Sequence, residues 1–235
     1  MERVDKLLVY TGRWSRKEAR GLVLQGRVAV NGAVVAKPED KVEPEDVDLT
    51  VDGARVECAR FVYLMLHKPA GYLSATEDRA QATVLDLLPQ ALRRRGLFPV
   101  GRLDKDTEGL LLLTDDGALA HRLLSPKYHV DKVYYAQVDG VLTQEDVVAF
   151  HAGIVLADGT RCLPARLEIL EAGRGARVEI QEGKYHQVKR MLASRGKPVL
   201  YLKRCAMGGL FLDAKLPKGA WRKLEKHELE MLKKN

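Results

Sequence analysis

Between Arg102 and Glu108 the chain reads Arg-Leu-Asp-Lys-Asp-Thr-Glu: three carboxylates and two cations in seven positions, followed by four leucines at 110–113. A carboxylate that is deprotonated, aimed and partly desolvated can serve as nucleophile or base at neutral pH. If residues 100–104 are extended, side chains alternate, and Arg102 and Asp104 fall on the same side. A guanidinium beside a carboxylate favours its charged form. Gly101 and Gly109 permit tight turns on either side. Asp106 and Glu108 read as loop residues that cap or solvate the turn, and Asp115-Asp116-Gly117 as a turn that N-caps a helix starting near Ala118. An isolated Arg-x-Asp is most often a surface ion pair, so the loop needs support from elsewhere in the chain.

Other chemistries fit less well. A glycosidase needs a second carboxylate across a sugar bond, and Asp104 and Asp115 could serve only if the fold joined them. The six histidines, at 67, 121, 129, 151, 186 and 227, have no ligand spacing such as HxxxH, and Cys58, Cys162 and Cys205 form no CxxC. No metal site and no cofactor are therefore expected. A GxxxxGK[ST] phosphate loop is absent, and Gly208-Gly209 reads as a turn between short strands.

Two further stretches bear on binding. Residues 184–204 hold seven Lys/Arg and no Asp or Glu, with Tyr185 and Tyr201 among them. Lys189, Arg190 and Arg195 fall on one predicted helix, and Lys203 and Arg204 close the next strand. Cations interleaved with aromatics suit phosphates and stacked bases. Residues 131–140, DKVYYAQVDG, read as a strand whose adjacent Tyr134 and Tyr135 must face opposite sides.

The elements that must position these groups divide unevenly along 235 residues. Residues 1–37 carry eight Lys/Arg against three Asp/Glu, and residues 38–60 carry three against eight. We read residues 1–59 as a small N-terminal domain with its linker and 60–235 as a larger α+β domain. In the first, Val4, Leu7 and Leu8 have helical spacing. Ser15 and Glu18 form a capping box for a second helix that Gly26 ends. Asn31-Gly32 joins two short strands, and a further strand is predicted at Val47–Val51. Arg16, Lys17 and Arg20 lie near one face of the second helix, flanked by Arg13 and Arg27, which suits a phosphate-gripping surface. In the larger domain strands are expected at 62–66, 97–100, 110–114, 132–138, 165–171, 176–181 and 198–204. Helices are expected at 83–88, 116–124, 143–151, 186–195 and 225–233.

The net charge of +7 points to a polyanionic partner. Three scattered cysteines imply reduced thiols, the N-terminus lacks a signal-peptide core, and no apolar run approaches membrane-spanning length. A cytoplasmic protein without membrane contact is expected.

The N-terminal helix, helix and hairpin, a motif of about 45 residues, resembles the S4 RNA-binding domain through Arg3, Asp5-Lys6, Ser15-Arg16, Ala19 and the hairpin from Gly26 to Gly32. GRLDKDTEGLLLLTDDG closely resembles the catalytic motif of pseudouridine synthases, in the branch that modifies ribosomal RNA and carries an N-terminal S4 domain. FVYLMLHKPAGYLSAT resembles that branch's first strand, with its Lys-Pro-x-Gly turn at Lys68, Pro69 and Gly71. DKVYYAQV resembles its K-x-Y motif, and EGKYHQVKRML its basic motif. The match runs from about residue 3 to 225, and the string at 185–191 looks most like the small-subunit (16S) rRNA enzyme.

The resemblance implies a mixed, largely antiparallel sheet with a central cleft and flanking helices. It implies isomerisation of a flipped-out uridine to pseudouridine, with ribosomal RNA or an assembling ribosomal particle as partner and a monomeric enzyme. It assigns Asp104 as nucleophile or base, Tyr134 as the ring that stacks on the uracil, and Lys189 as the ion-pair partner of Asp104. Tyr135 is then the core-facing tyrosine. Arg102 instead fills the gap left by the displaced base, in disagreement with its local reading as the ion-pair partner. Leu192 is expected to line the uracil pocket, Arg190, Lys184 and Tyr185 to bind substrate, and Arg3, Lys6, Arg13, Arg16, Lys17, Arg20 and Arg27 to bind RNA.

Overall fold

The computed structural model describes residues 1–44 and 47–234. Glu45, Asp46 and Asn235 lie outside the described residues, and with them two carboxylates of the acidic stretch 38–60.

The N-terminal region is built from β1 (Glu2–Arg3), α1 (Val4–Tyr10), α2 (Arg16–Leu24), β2 (Val28–Val30), β3 (Ala33–Val34), β4 (Lys41–Val42), β5 (Leu49–Val51) and β6 (Ala54–Arg55). Ser15 and Glu18 close the expected capping box on α2. Asn31 and Gly32 both have positive φ, 50° and 81°, as a two-residue hairpin turn of the right twist requires. Val4, Leu7, Leu8, Ala19, Leu22, Val23, Val28 and Leu49 form the small core of this region.

The second region contains β7 (Tyr63–Lys68), α3 (Gln90–Arg93), β8 (Phe98–Pro99), β9 (Glu108–Thr114), α4 (Gly117–Leu124), β10 (Lys132–Val138), α5 (Gln144–Ala152), β11 (Arg166–Leu170), β12 (Gly175–Ile180), α6 (Gln187–Ser194), β13 (Val199–Met207), β14 (Leu210–Phe211), β15 (Trp221–Lys223) and α7 (Lys226–Lys234). A 3-10 turn covers Val84–Leu87, where a helix at 83–88 is expected. The fold is α+β: a nine-stranded mixed sheet of order β11-β12-β10-β13-β9-β7-β15, with β14 on β13, β8 on β9, and helices flanking it. All its pairs are antiparallel except β13 with β9. Asp116 caps α4 by accepting from the amides of Ala118 and Leu119, as its position predicts. β3, β8 and β14 fall where short strands are expected, whereas β1, β4, β6 and β15 escape sequence reading because they are too short to show a period.

The parallel seam matters most. It pairs Glu108 with Lys203 and Gly109 with Arg204, immediately after the charged loop. A Cβ on Gly109 would lie 2.2 Å from the Arg204 carbonyl oxygen, and Gly109 has a φ of 108°. Only glycine permits this approach and this backbone.

The two regions meet through Arg95. Its guanidinium binds the Asp115 carboxylate, donates to the carbonyls of Ala59 and Arg60 at 3.1 Å, and lies 5.5 Å from the Tyr10 ring centroid. Gly12 packs directly on the Ala91 carbonyl, where a Cβ would come within 1.9 Å of the oxygen.

Candidate active site

The loop from Gly101 to Thr107 is held by one buried cation. Lys68 ends β7 with no solvent exposure. Its ammonium donates to four backbone carbonyls: Thr107 at 2.9 Å, Pro69 and Asp104 at 3.1 Å, and Lys105 at 3.2 Å. Burial pushes its pKa down to about 8, against the pull of Asp106, Asp104 and Glu108. A buried charge persists only when it is this well satisfied. The Ser74 hydroxyl adds a second tether, exchanging hydrogen bonds of 2.9 and 3.0 Å with the Leu103 carbonyl and amide. Asp104 is thereby fixed through its own main chain.

The Asp104 carboxylate faces α6 and the turn before it. Its Oδ2 accepts from Lys189 Nζ at 3.0 Å, and its Oδ1 lies 3.4 Å from His186 Nε2. Lys189 also reaches Asp106 at 2.6 Å. Burial alone would lower the Lys189 pKa, but the two aspartates hold it above the ordinary lysine value. Burial would raise Asp106, and Lys189 holds it below the usual carboxylate value. The ion pair that local alternation assigned to Arg102 is therefore made by Lys189. Residues 101–104 are not a strand, and Arg102 is exposed at the cavity rim.

Glu108 corrects another expectation. It is buried at the start of β9, where it accepts from Tyr201 Oη and Lys218 Nζ, both at 2.7 Å. Burial would raise it; these two partners hold it below its ordinary value. It anchors the end of the loop to β13 instead of solvating a turn.

Asp104 opens onto a cavity of about 690 Å³ that also takes in Arg102, Lys132, Tyr134, Lys184, Tyr185, His186 and Arg204. Its floor, beside Asp104 and Tyr134, is formed by Ile180, Val188 and Leu202. Tyr134 belongs at once to the main core and to the cavity wall, because both lie on the same face of the sheet. Tyr135 is consequently not the core-facing partner. It is half-buried on the other face, donates to the Glu171 carboxylate, and tilts against Tyr201.

Leu192 does not line the cavity; it is fully buried one turn deeper in the core, and Val188 takes that place. Arg190 turns away to pair with Asp158 at 2.5 Å. Lys184 lines the cavity with its ammonium on Glu182. Arg195 is bound to Asp146. Arg204 is buried and donates to the Leu110 carbonyl across the parallel seam at 2.8 Å. No group of three or more metal-ligating side chains occurs among the described residues, and no helix there is long and apolar enough to cross a membrane.

Residues 62–194 match the family model for RNA pseudouridylate synthase.

The chain belongs to the RNA pseudouridylate synthase family.

Residues 2–48 match the S4 domain. The synthase is 46% identical to the uncharacterized RNA pseudouridine synthase YtzG of Bacillus subtilis, over 98% of both chains. It is 41% identical to ribosomal small subunit pseudouridine synthase A of Pseudomonas aeruginosa, covering 97% of this chain and 98% of that one. It is 38% identical to ribosomal large subunit pseudouridine synthase B of Bacillus subtilis, covering 99% and 96%. A crystal structure of a pseudouridylate synthase superposes with a TM-score of 0.70 at 33% identity, covering 99% of this chain and all of that one.

The N-terminal cations of the synthase sort into two groups. Arg3 is spent on Asp5, a fully buried carboxylate that Arg20 also approaches at 3.6 Å. Lys6 pairs with Glu2 and Arg27 with Asp52. Arg13, Arg16 and Lys17 are exposed and form no ion pair among the described residues. Arg13 lines the groove between the two regions, with Tyr10 and Arg95.

Sequence reading missed His186 and Lys68 as site residues. His186 is hidden because one histidine beside a basic run carries no spacing signal. Lys68 is marked only as part of a turn, since nothing local tells which carbonyls a lysine will reach.

Proposed function

We propose that this synthase isomerises a specific uridine of small-subunit (16S) ribosomal RNA to pseudouridine, with Asp104 as the nucleophile or base. The observation that carries the reading is the Asp104 carboxylate, tethered by Lys68 and paired with Lys189, at the floor of a cavity walled by Tyr134. A uridine must leave its stack to reach such a floor, at a cost of a few kcal/mol that is smallest in an unpaired loop. Tyr134 offers a ring against which the flipped uracil can lie. Asp104 can then act as the uracil is detached from the sugar, turned and rejoined through carbon. The product is an isomer, so no redox partner is consumed. In this reading Arg102, exposed at the rim, fills the gap left by the base.

The S4 match and the free cations Arg13, Arg16 and Lys17 support rRNA, alone or in an assembling particle, as the partner. The Tyr-His-Gln-Val-Lys-Arg-Met string at 185–191 favours the small subunit. The reading takes residues 1–59 as the RNA-gripping domain with its linker, 60–235 as the catalytic domain, and the working form as a monomer. Mapping pseudouridines in rRNA from cells with and without the gene tests it. Loss of one site in 16S rRNA is expected; loss confined to 23S rRNA overturns the small-subunit assignment, and no loss anywhere overturns the rRNA reading.

A further inference from the structure

Tyr185 is the most exposed aromatic side chain among the described residues, at 75%, yet it lines the cavity over Asp104. Its ring is not loose. It stacks on His186 with centroids 3.8 Å apart and planes 18° apart. His186 takes the left-handed conformation, φ 49°, which is uncommon outside glycine. Its ring lies against Asp104, 3.4 Å from Nε2, and its backbone occupies the N-cap position of α6 without a side-chain capping bond. Arg190 Nη1 points at the Tyr185 carbonyl at 3.4 Å. One face of the Tyr185 ring is thus covered by imidazole, while most of the side chain stays open to solvent at the cavity mouth.

We propose that Tyr185, backed by His186, is a stacking platform for the nucleobase next to the target uridine. The proposal rests on the pseudouridine synthase reading. When a uridine swings into the cavity, its neighbour in the strand loses a stacking partner. A flat ring at the mouth replaces that partner without regard to sequence, since every base has a π-face. The platform and the reacting carboxylate share one side chain, His186, so seating the neighbour also orders the group that touches Asp104. Tyr185 acts in binding and His186 in positioning.

The test uses the intact enzyme and a short rRNA fragment carrying the mapped target. An abasic nucleotide is placed at the position before or after the target. At one of the two flanks the abasic RNA is expected to raise KM about ten-fold, within the range found for one base–aromatic stack, with kcat changed less than about two-fold. Tyr185→Ala should raise KM on intact RNA by the same factor, and combining it with that abasic RNA should add nothing further. Tyr185→Phe should restore the wild-type KM. The proposal is overturned if neither abasic RNA affects wild-type KM, or if the two losses multiply. Fluorescence of 2-aminopurine at the same flank reads stacking without turnover: quenching on binding should vanish in Tyr185→Ala. Absence of pseudouridine formation by wild type with quenching intact would defeat the enzymatic reading and leave the platform standing. Tyr185 is exposed, so an unchanged melting temperature of the variant confirms that its fold is kept.

Discussion

The two basic regions of this molecule use the same residue types for opposite ends. On the N-terminal region the cations sit at the surface. Arg16 and Lys17 extend into water, and Arg27 with Asp52 forms a surface pair. Exposed pairs of this kind contribute about 0–1 kcal/mol and are screened by salt. Around the cleft the cations are taken inside: Lys68 and Arg204 are buried, and Lys189 is clamped between two aspartates. A surface cation acts at a distance on any polyanion. A buried one acts on a few atoms and fixes where they are. Burial, not residue type, decides whether a positive charge steers RNA or shapes an active site.

Breaking the cleft side should have the largest effect. Asp104→Asn keeps the shape of the side chain and removes its charge, so turnover should fall by about 10⁴-fold, while RNA affinity stays within a few-fold of wild type. Single-turnover pseudouridine assays with parallel binding titrations check this, and a variant that still isomerises uridine ends the assignment of Asp104.

Next comes the tether. Lys68→Met removes the donor to four carbonyls and leaves most of the aliphatic stem in place. The loop should shift by a fraction of an ångström to an ångström, and kcat should drop about 10²-fold with KM less affected. Hydrogen exchange should quicken at the Thr107 and Gly71 amides, which close this loop through the carbonyls of Asp104 and Lys105. A variant with wild-type kcat would mean that Asp104 is placed by Ser74 and Lys189 alone.

The N-terminal side should respond more weakly and in a different observable. Arg16→Ala with Lys17→Ala should raise KM a few-fold and leave kcat unchanged. The slope of log affinity against log salt should become shallower by about 0.7–0.9 for each phosphate that the protein no longer neutralises. An unchanged slope would remove these two residues from the RNA interface.

The smallest effect is a pH dependence of stability. Lys68 has a folded pKa of about 8, below the 10.5 of a free lysine. Between these values the unfolded chain binds a proton that the folded chain does not, so the Lys68 contribution raises stability as pH climbs from about 8 to 10.5. Below pH 8 the penalty for the buried charge is felt in full. Melting temperatures at pH 8 and pH 10 should therefore shift relative to one another when Lys68→Met is compared with wild type, the variant lacking the gain at the higher pH.

Much of the frame was legible because it rests on local rules. The Ser15–Glu18 capping box, the Asn-Gly hairpin and the strand at 132–138 are written in neighbouring residues. The choice of tyrosine was legible only through resemblance, and its corollary failed. Alternation says that Tyr134 and Tyr135 face opposite ways, but not which face of the sheet holds both core and cavity. Leu192 failed for a related reason: helical spacing puts Val188 and Leu192 on one face, and only the packing of α6 decides which of them meets the cavity. The Arg102 pairing failed because it assumed an extended loop, and Lys68 bends that loop from 36 residues away.

By itself the sequence determined the order of the main elements and the uneven charge along the chain, and its resemblance to a known family singled out Asp104. That resemblance also named Lys189 as the partner of the carboxylate; only the tertiary structure added His186 at its other oxygen and Lys68 beneath its main chain. Secondary structure follows from interactions a few residues apart, which a linear chain displays. The surroundings of a charge follow from which distant segments fold around it, and those contacts exist only once the sheet has closed.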